Sequence, residues 1–406
     1  MTIFRRIRPS AGHPLAPGPE LGSTPVNILL FWFYDDWGRY GRTYEKIASN
    51  LAGLPEVSQV VCMFPPEIVA DAGESVELHE RRLSPRLALL TERIRAHDAR
   101  LVGRLFRSVQ GWRGGRLLGE YLRGRAFTSR NTILWMFPPH PYIDRIRRVV
   151  PHQFVVTHVI DNFTHFDTSH SLYHFAMEQY PRIGQWSDII FTNSEPNRVE
   201  FSITGVPCYR FPQAVDECFL APASDLPHRA MGARPRLGYL GFIMERTDLA
   251  LLAAVAAQRP EWDVVLVGPE YPRGYVRESG LLALENVRWL GEVPNRDAPA
   301  FLQSLDVCLI PHRDTAYSRS MQPLKLYQYL GSGRPVVSTP VGGLEDVIDH
   351  VQVAHDAAGF VSRIQDSLDN NSIAQSGARI NAVRKETWDI RAREMLLTAI
   401  QAPSGR

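Results

Sequence analysis

Two places in this 406-residue chain put chemically capable side chains where a fold can use them. The first is Lys325, within Pro323-Leu324-Lys325-Leu326-Tyr327-Gln328-Tyr329-Leu330-Gly331. Pro323 suits the first position of a helix, where its missing N–H costs nothing. Leu324, Leu326, Tyr327 and Leu330 supply an apolar face, and Gly331 or Gly333 can end the helix in a left-handed cap. A cation in the first turn meets the positive end of the helix dipole, which is mildly unfavourable. An anion held there reverses the sign, because exposed N–H groups and the ammonium converge on it. Gln328, three residues on, shares that face and adds a neutral hydrogen bond. The competing reading is a solvated lysine on an amphipathic helix. The second place is Asp161, directly after the apolar run Phe154–Ile160. A carboxylate there stands at the ligand-binding edge of a doubly wound sheet, or caps the helix that follows.

The elements that must position these residues are short apolar runs separated by helical stretches. Val26–Phe33, Ser58–Phe64, Thr132–Phe137, Phe154–Ile160 and Pro207–Phe211 read as strands of a first α/β domain, with Ser187–Pro196 a further strand and loop. Arg39 and Arg42 lie in the loop after the first strand, at the same edge as Asp161, and are candidate site residues or solvated loop arginines. Glu195 starts a helix, where it complements the dipole. A second series begins at Arg236–Phe242 and recurs at Asp263–Val267, Asn286–Leu290, Asp306–Ile310 and Pro335–Ser338. Gly238-x-x-Gly241 allows close backbone approach to a ligand, and Gly342-Gly343 follows the last of these strands. The division expected is a flexible leader over 1–25, a domain over 26–225 and another over 226–384. Thr387–Ile400 reads as an amphipathic helix, so 385–406 is expected to return to the first domain.

Composition narrows the class. The formal net charge is only +2, so no strong global field exists. Cys62, Cys208, Cys218 and Cys308 lack metal-ligand spacing and suit reduced thiols in the cytoplasm. No run reaches the roughly 18–20 apolar residues that span a bilayer. The leader Met1–Pro25 has Arg5, Arg6 and Arg8 but no apolar core of a signal peptide. Local charge is different. Arg81–Arg130 interleaves many arginines with Leu101, Leu105, Phe106, Trp112 and Phe127, and reads as a cationic helical segment suited to an anionic membrane surface. Nucleic acid is the weaker alternative and is not the expected partner, since no DNA- or RNA-binding motif accompanies the patch. The expected location is cytoplasmic, peripheral to the inner face of the cell membrane.

The pattern Pro-Leu-Lys-Leu-Tyr-x-Tyr-Leu-x-x-Gly-x-Pro-Val-Val-Ser-Thr over 323–339 resembles the donor-binding segment of GT-B glycosyltransferases, particularly those of bacterial cell-surface polysaccharides. Its K-x-x-Q form is similar to the xanthan glucuronosyltransferase and its relatives. The resemblance runs from Val26 onward, with short specific stretches. It implies an α/β GT-B fold, two Rossmann-like domains facing each other across a cleft, with the C-terminal helix crossing back to the N-domain. Lys325 then contacts the diphosphate of a UDP-sugar donor, and Gln328 lies at the same site. Gly241 and Met244 belong to the donor-side turn, Gly291-Glu292-Val293 to the loop that holds the base, and Gly342-Gly343 begins a helix facing the diphosphate. Asp161 corresponds to the general base that deprotonates the acceptor hydroxyl, with His165 and Asp167 as substitutes and Glu195 nearby.

Sugar transfer needs that base and charge stabilisation for the departing nucleotide. The chain has no D-x-D, so a metal-independent reaction without cofactor is expected. Ser320 and Gln328 occupy the places of E-x7-E in a retaining group, and neither is a carboxylate, which favours inversion. The function expected is transfer of a sugar, glucuronate by the resemblance, to a lipid-linked oligosaccharide or glycan acceptor in exopolysaccharide synthesis. A nucleotide-sugar epimerase of the same fold and a non-catalytic nucleotide-sugar-binding protein are the alternatives.

Overall fold

The computed structural model describes residues 25–32, 34, 36–69, 76–95, 115–140, 143–168, 170, 172–221 and 233–402. A first sheet contains β1 (Val26–Phe31), β2 (Val57–Met63), β3 (Glu67–Val69), β4 (Val76–Ser84), β5 (Leu87–Arg95), β6 (Thr132–Met136), β7 (Phe154–Val159), β8 (Ile189–Thr192) and β9 (Cys208–Arg210). Its order is β3-β5-β2-β1-β6-β7-β8-β9, with β4 antiparallel on β5 and the other pairings parallel. A second, parallel sheet contains β10 (Arg236–Leu240), β11 (Asp263–Val267), β12 (Val287–Trp289), β13 (Val307–Ile310), β14 (Val336–Ser338) and β15 (Gln352–Val353). Its order is β12-β11-β10-β13-β14-β15.

The apolar runs are strands because both faces of each sheet are covered. Along β1, Ile28 and Leu30 join one core and Leu29 and Phe31 another, the alternation of a pleated strand with helices on both sides. The second sheet repeats this along β13, where Val307 and Leu309 fill one core and Cys308 and Ile310 the other.

The helix Trp388–Gln401 leaves the second domain and gives Trp388, Ala392, Met395, Leu396 and Ala399 to the core of the first. Core membership changes between Ala214 and Val215 on the outward crossing, and between Val383 and Trp388 on the return. The outward crossing thus precedes the expected boundary after residue 225, because Val215 and Phe219 are buried in the second domain. The two crossings touch, with the Val215 N–H donating to the Glu386 carbonyl at 2.8 Å.

The expected cationic helix over Arg81–Arg130 is corrected. Arg81, Arg82, Arg93 and Arg95 lie on the β4–β5 hairpin, and only 115–124 of the described residues in this stretch is helical. Leu87–Leu90 are buried while most of β4 is exposed, and charge on such an edge strand discourages pairing with other chains. Acidic residues neutralise part of the charge: Glu80 faces Arg82 and Arg125, Glu67 faces Arg93, and buried Glu92 holds Arg145 at 2.7 Å. Because β5 runs parallel to β2, Arg95 ends at the edge where Asp161 stands, whereas Arg81, Arg82 and Arg86 lie at the opposite edge. Residues 96–114, with Arg104, Arg107 and Arg113, lie outside the described residues, as does the leader over 1–24. Among the described residues no helix is long and apolar enough to cross a membrane.

The returning helix yields a stability prediction. Trp388 is 3 % exposed, and Trp388→Ala removes a large ring from the first domain's core. The expected loss is about 3–5 kcal/mol, measured as a lower urea midpoint; an unchanged midpoint would show that the helix is not integral to that core.

Candidate active site

The C-terminal ends of the strands in the two sheets face each other across a cleft that holds two adjoining cavities. The larger, ≈ 500 Å³, is lined on one side by Trp32, Tyr34, Phe137, Phe163 and Phe166 of the first domain. Asp161 lies in its wall, immediately beyond β7. The capping alternative goes to its neighbour: the Thr164 N–H donates to the Asn162 side-chain oxygen at 3.2 Å. This leaves the Asp161 carboxylate turned to the cavity. Tyr317 from the second domain donates its hydroxyl to Asp161 Oδ1 at 3.3 Å, and Tyr180 donates to the Asp161 backbone carbonyl at 3.1 Å. Burial holds the Asp161 carboxyl above the usual carboxylate range, against the pull of Arg246, the Tyr317 hydrogen bond, Arg42 and His170. A base of raised proton affinity is better matched to an alcohol proton.

The smaller cavity, ≈ 170 Å³, lies over the second sheet and is lined by Gly241, Gly268, Glu292, Lys325 and Gln328. Lys325 sits in the first turn of the helix Leu324–Gly331, with Pro323 at the cap rather than at the first helical position. Its ammonium donates to the Tyr239 hydroxyl at 2.7 Å and stands 4.0 Å from the centre of that ring. Burial, reinforced by Arg246, pushes the Lys325 amine well below its ordinary range. Two glycines make room for it. Gly241 has φ +139°, and a Cβ there would lie 2.9 Å from Lys325 Nζ; Gly268 has φ +133°, and a Cβ there would lie 2.1 Å from the Gly241 carbonyl oxygen. Both positions demand glycine for conformation and for space.

Arginines join the two cavities. Arg42 lines both, packs its guanidinium 4.7 Å from the centre of the Phe242 ring and pairs with Asp36 at 2.7 Å. Arg39 lines the smaller one and makes a bidentate pair with Glu292, both contacts at 2.7 Å, which ties the two domains at its rim. Met244 lines the larger cavity, and Arg246 Nη1 lies 3.0 Å from its sulfur. Arg246 itself lines both cavities, and sequence reasoning missed it. Burial opposes its charge, but Tyr317, Tyr239 and Asp161 outweigh burial and hold the guanidinium above its ordinary value. The available signal was its place in Gly241-Phe242-Ile243-Met244-Glu245-Arg246, two residues past the singled-out methionine.

Other expected site residues lie elsewhere. No α-helix starts at Gly342-Gly343: the chain makes turns there before a short 3-10 helix at Ile348–His350. The Gly342 N–H donates to the Ser318 carbonyl at 3.0 Å, and a Cβ on Gly342 would lie 2.4 Å from the Met321 carbonyl oxygen. The pair packs against the loop before Lys325 and lines neither cavity. Glu195 is the first residue of the helix Glu195–Ser202 and pairs with Arg198 at 2.6 Å and with Arg210 at 3.8 Å, away from both cavities. His165 turns its Nδ1 to Ser320 Oγ at 3.0 Å and its Nε2 toward Glu200. Asp167 is exposed. Among the described residues no three His, Cys, Asp or Glu side chains converge as a metal site would require.

This geometry can be set beside known proteins. Residues 234–370 match the family model described as Glycosyl transferases group 1. The match falls within the second domain. The chain is 28% identical over 172 residues to a putative teichuronic acid biosynthesis glycosyltransferase of Bacillus subtilis, a stretch covering 41% of this chain and less than half, 43%, of that relative. Among solved structures, sucrose-phosphate synthase from Thermosynechococcus elongatus superposes with a TM-score of 0.66 at 17% identity, covering 92% of this chain and 98% of that one. The Anabaena protein HepE, solved with UDP and glucose, gives a TM-score of 0.64 at 13% identity over 92% and 99% of the two chains. The fold is GT-B, in both its domains.

The buried lysine generates a pH prediction. An amine held below its ordinary range by burial regains its charge beside a diphosphate, so binding takes up a proton between the depressed and the restored pKa. Below that window the amine is already charged, and uptake vanishes. Calorimetry with UDP in buffers of different ionisation enthalpy is expected to show uptake on the alkaline side of the depressed pKa, lost in Lys325→Met. Equal enthalpies in all buffers would remove Lys325 from the anion site.

Proposed function

We propose that this chain transfers a sugar from a UDP-sugar to a lipid-linked oligosaccharide or glycan acceptor in the synthesis of a cell-surface polysaccharide. The observation that carries the reading is the juxtaposition in one cleft of the Asp161 carboxylate with the Lys325 amine and the Arg246 guanidinium. The relative named for teichuronic acid biosynthesis supports a polysaccharide product. UDP-glucuronate is the first donor to test, from the K-x-x-Q resemblance.

In this reading the nucleotide diphosphate lies over Gly241 and Gly268 against Lys325, with Gln328 adding a neutral hydrogen bond. The acceptor occupies the aromatic-walled cavity, its hydroxyl on Asp161. As the acceptor oxygen bonds to the sugar's anomeric carbon, Asp161 takes its proton. The bond from that carbon to the diphosphate oxygen breaks, and the electron pair leaves with UDP. Lys325 and Arg246 stabilise the charge that develops there, without a metal. A single displacement with one base gives inversion at the anomeric carbon.

Asp161→Asn tests the assignment directly. It keeps shape and removes proton acceptance, so turnover is expected to fall by about 10²–10⁴ while UDP affinity stays unchanged. The readout is transfer from UDP-glucuronate and other UDP-sugars to a polyprenyl-linked acceptor. Near-normal transfer by the variant would remove Asp161 as base; donor isomerised or hydrolysed without acceptor would favour the epimerase.

Membrane contact forms part of the proposal and is assigned to the arginines that follow Arg95 in the chain. Neutralising Arg104, Arg107, Arg113 and Arg116 together is expected to reduce sedimentation with anionic vesicles, with the loss largest at low salt. Neutralising Arg81, Arg82 and Arg86, at the far edge, is expected to change it little. Equal effects of the two sets would contradict this assignment.

A further inference from the structure

Asp161 belongs to the first domain, yet two of the groups that define its surroundings belong to the second. One is Arg246. The other is Tyr317, in the short helix Ala316–Ser320, whose first turn is fixed by Thr315: the Ser318 N–H donates to Thr315 Oγ1 at 3.1 Å. This helix is fastened to the first domain at several points. Ser320 Oγ meets His165 Nδ1 at 3.0 Å, and the Ser194 hydroxyl donates to the Ser320 carbonyl. The Tyr317 ring packs on Phe166 of the first domain, with centroids 4.1 Å apart, and Phe166 in turn stacks on Phe163 at 4.7 Å. The Tyr317 ring and the hydroxyls of Tyr317 and Ser320 therefore close onto the loop that carries the carboxylate, and the Ser320 carbonyl onto the neighbouring Ser194.

The geometry points to Tyr317 as a positioning residue that sets the Asp161 carboxylate from across the cleft, so that the base is completed only when the donor domain is seated on the acceptor domain. This rests on the reading of Asp161 as base. Tyr317 touches neither reacting atom; it acts through its hydrogen bond to Oδ1 at 3.3 Å, while its hydroxyl also meets Arg246. The other oxygen is left for the acceptor hydroxyl. Donation from a neutral hydroxyl stabilises the ionised carboxylate, and the burial of the phenol, 6 % exposed, keeps water from replacing it. Domain seating and proton acceptance are thereby linked through a single side chain. The linkage also accounts for His165, expected from the sequence as a substitute base, which instead docks the helix that carries Tyr317.

The test is Tyr317→Phe in the full chain, which deletes one oxygen and keeps the ring on Phe166. Besides Tyr317, the groups facing Asp161 are Arg42, Arg246, His170, Tyr34 and Tyr180, and all are retained. Infrared titration of the ligand-free protein, with the Asp161 band assigned by its loss in Asp161→Asn, reads the carboxyl directly and needs no knowledge of donor or acceptor. The midpoint is expected to rise in Tyr317→Phe, because the hydrogen bond removed favours the charged form. Turnover of UDP-glucuronate is expected to fall about tenfold, the lower end of the worth of a hydrogen bond to a charged group, with UDP affinity unchanged. An unmoved titration midpoint overturns the assignment whatever Asp161 does in catalysis. A raised midpoint with full transfer by Asp161→Asn supports the link but refutes the base. Should Tyr317→Phe fail to melt cooperatively, Tyr317→Met removes the same hydroxyl with a more adaptable side chain, and an unmoved midpoint there overturns the assignment equally.

Discussion

The arrangement depends on an attraction that crosses the cleft. A half-buried carboxylate of one domain and a half-buried guanidinium of the other each suffer from desolvation and each are favoured by the other's charge. Either domain alone would leave its half of that pair facing water or an apolar wall, and a buried charge without a partner is costly. The aromatic stack, the glycine turns and the short helix before Lys325 can be understood as what holds those two charges near each other without sealing the space between them. A direct ion pair would be a more stable closure and a poorer active site, because it would occupy the oxygen that must receive a proton.

The same logic explains the state of Lys325. Its ammonium has a phenol and a ring face for company and a guanidinium nearby, an environment that withholds what a cation most needs. An anionic ligand supplies it. The site is therefore built to receive a negative charge, with Gly241 and Gly268 keeping side chains out of the way.

Much of this was legible in the sequence, for physical reasons. Runs such as Phe154–Val159 are apolar throughout because parallel strands are covered on both faces, and the carboxylate that ends such a run stands out at once. Lys325 was visible because a cation in a helix's first turn is out of place. What stayed hidden lacked such a contrast. Arg246 sits in an irregular turn, where no period distinguishes a site residue from a solvated one. The β4–β5 hairpin hid its alternation under arginines on an edge strand, where both faces tolerate charge, and so read as helix. Gly342-Gly343 showed a need for glycine correctly, and that need is set by the Arg319–Gln322 segment pressed against it. His165 and Glu195 lie close in sequence to functional elements, yet their side chains are spent on docking and on surface ion pairs.

The paired crossings near Val215 and Glu386 have a further consequence, for the order in which the molecule is made. The second domain is an insertion within the first, and the ribosome delivers all of it before Trp388, Met395 and Leu396 emerge. Vectorial synthesis ordinarily lets the amino-terminal domain fold first; here the nascent amino-terminal half must wait with part of its core unfilled. The later-synthesised half, whose core needs only Val215 through Val383, is complete earlier. During that interval the first sheet is the region that molecular chaperones would have to protect.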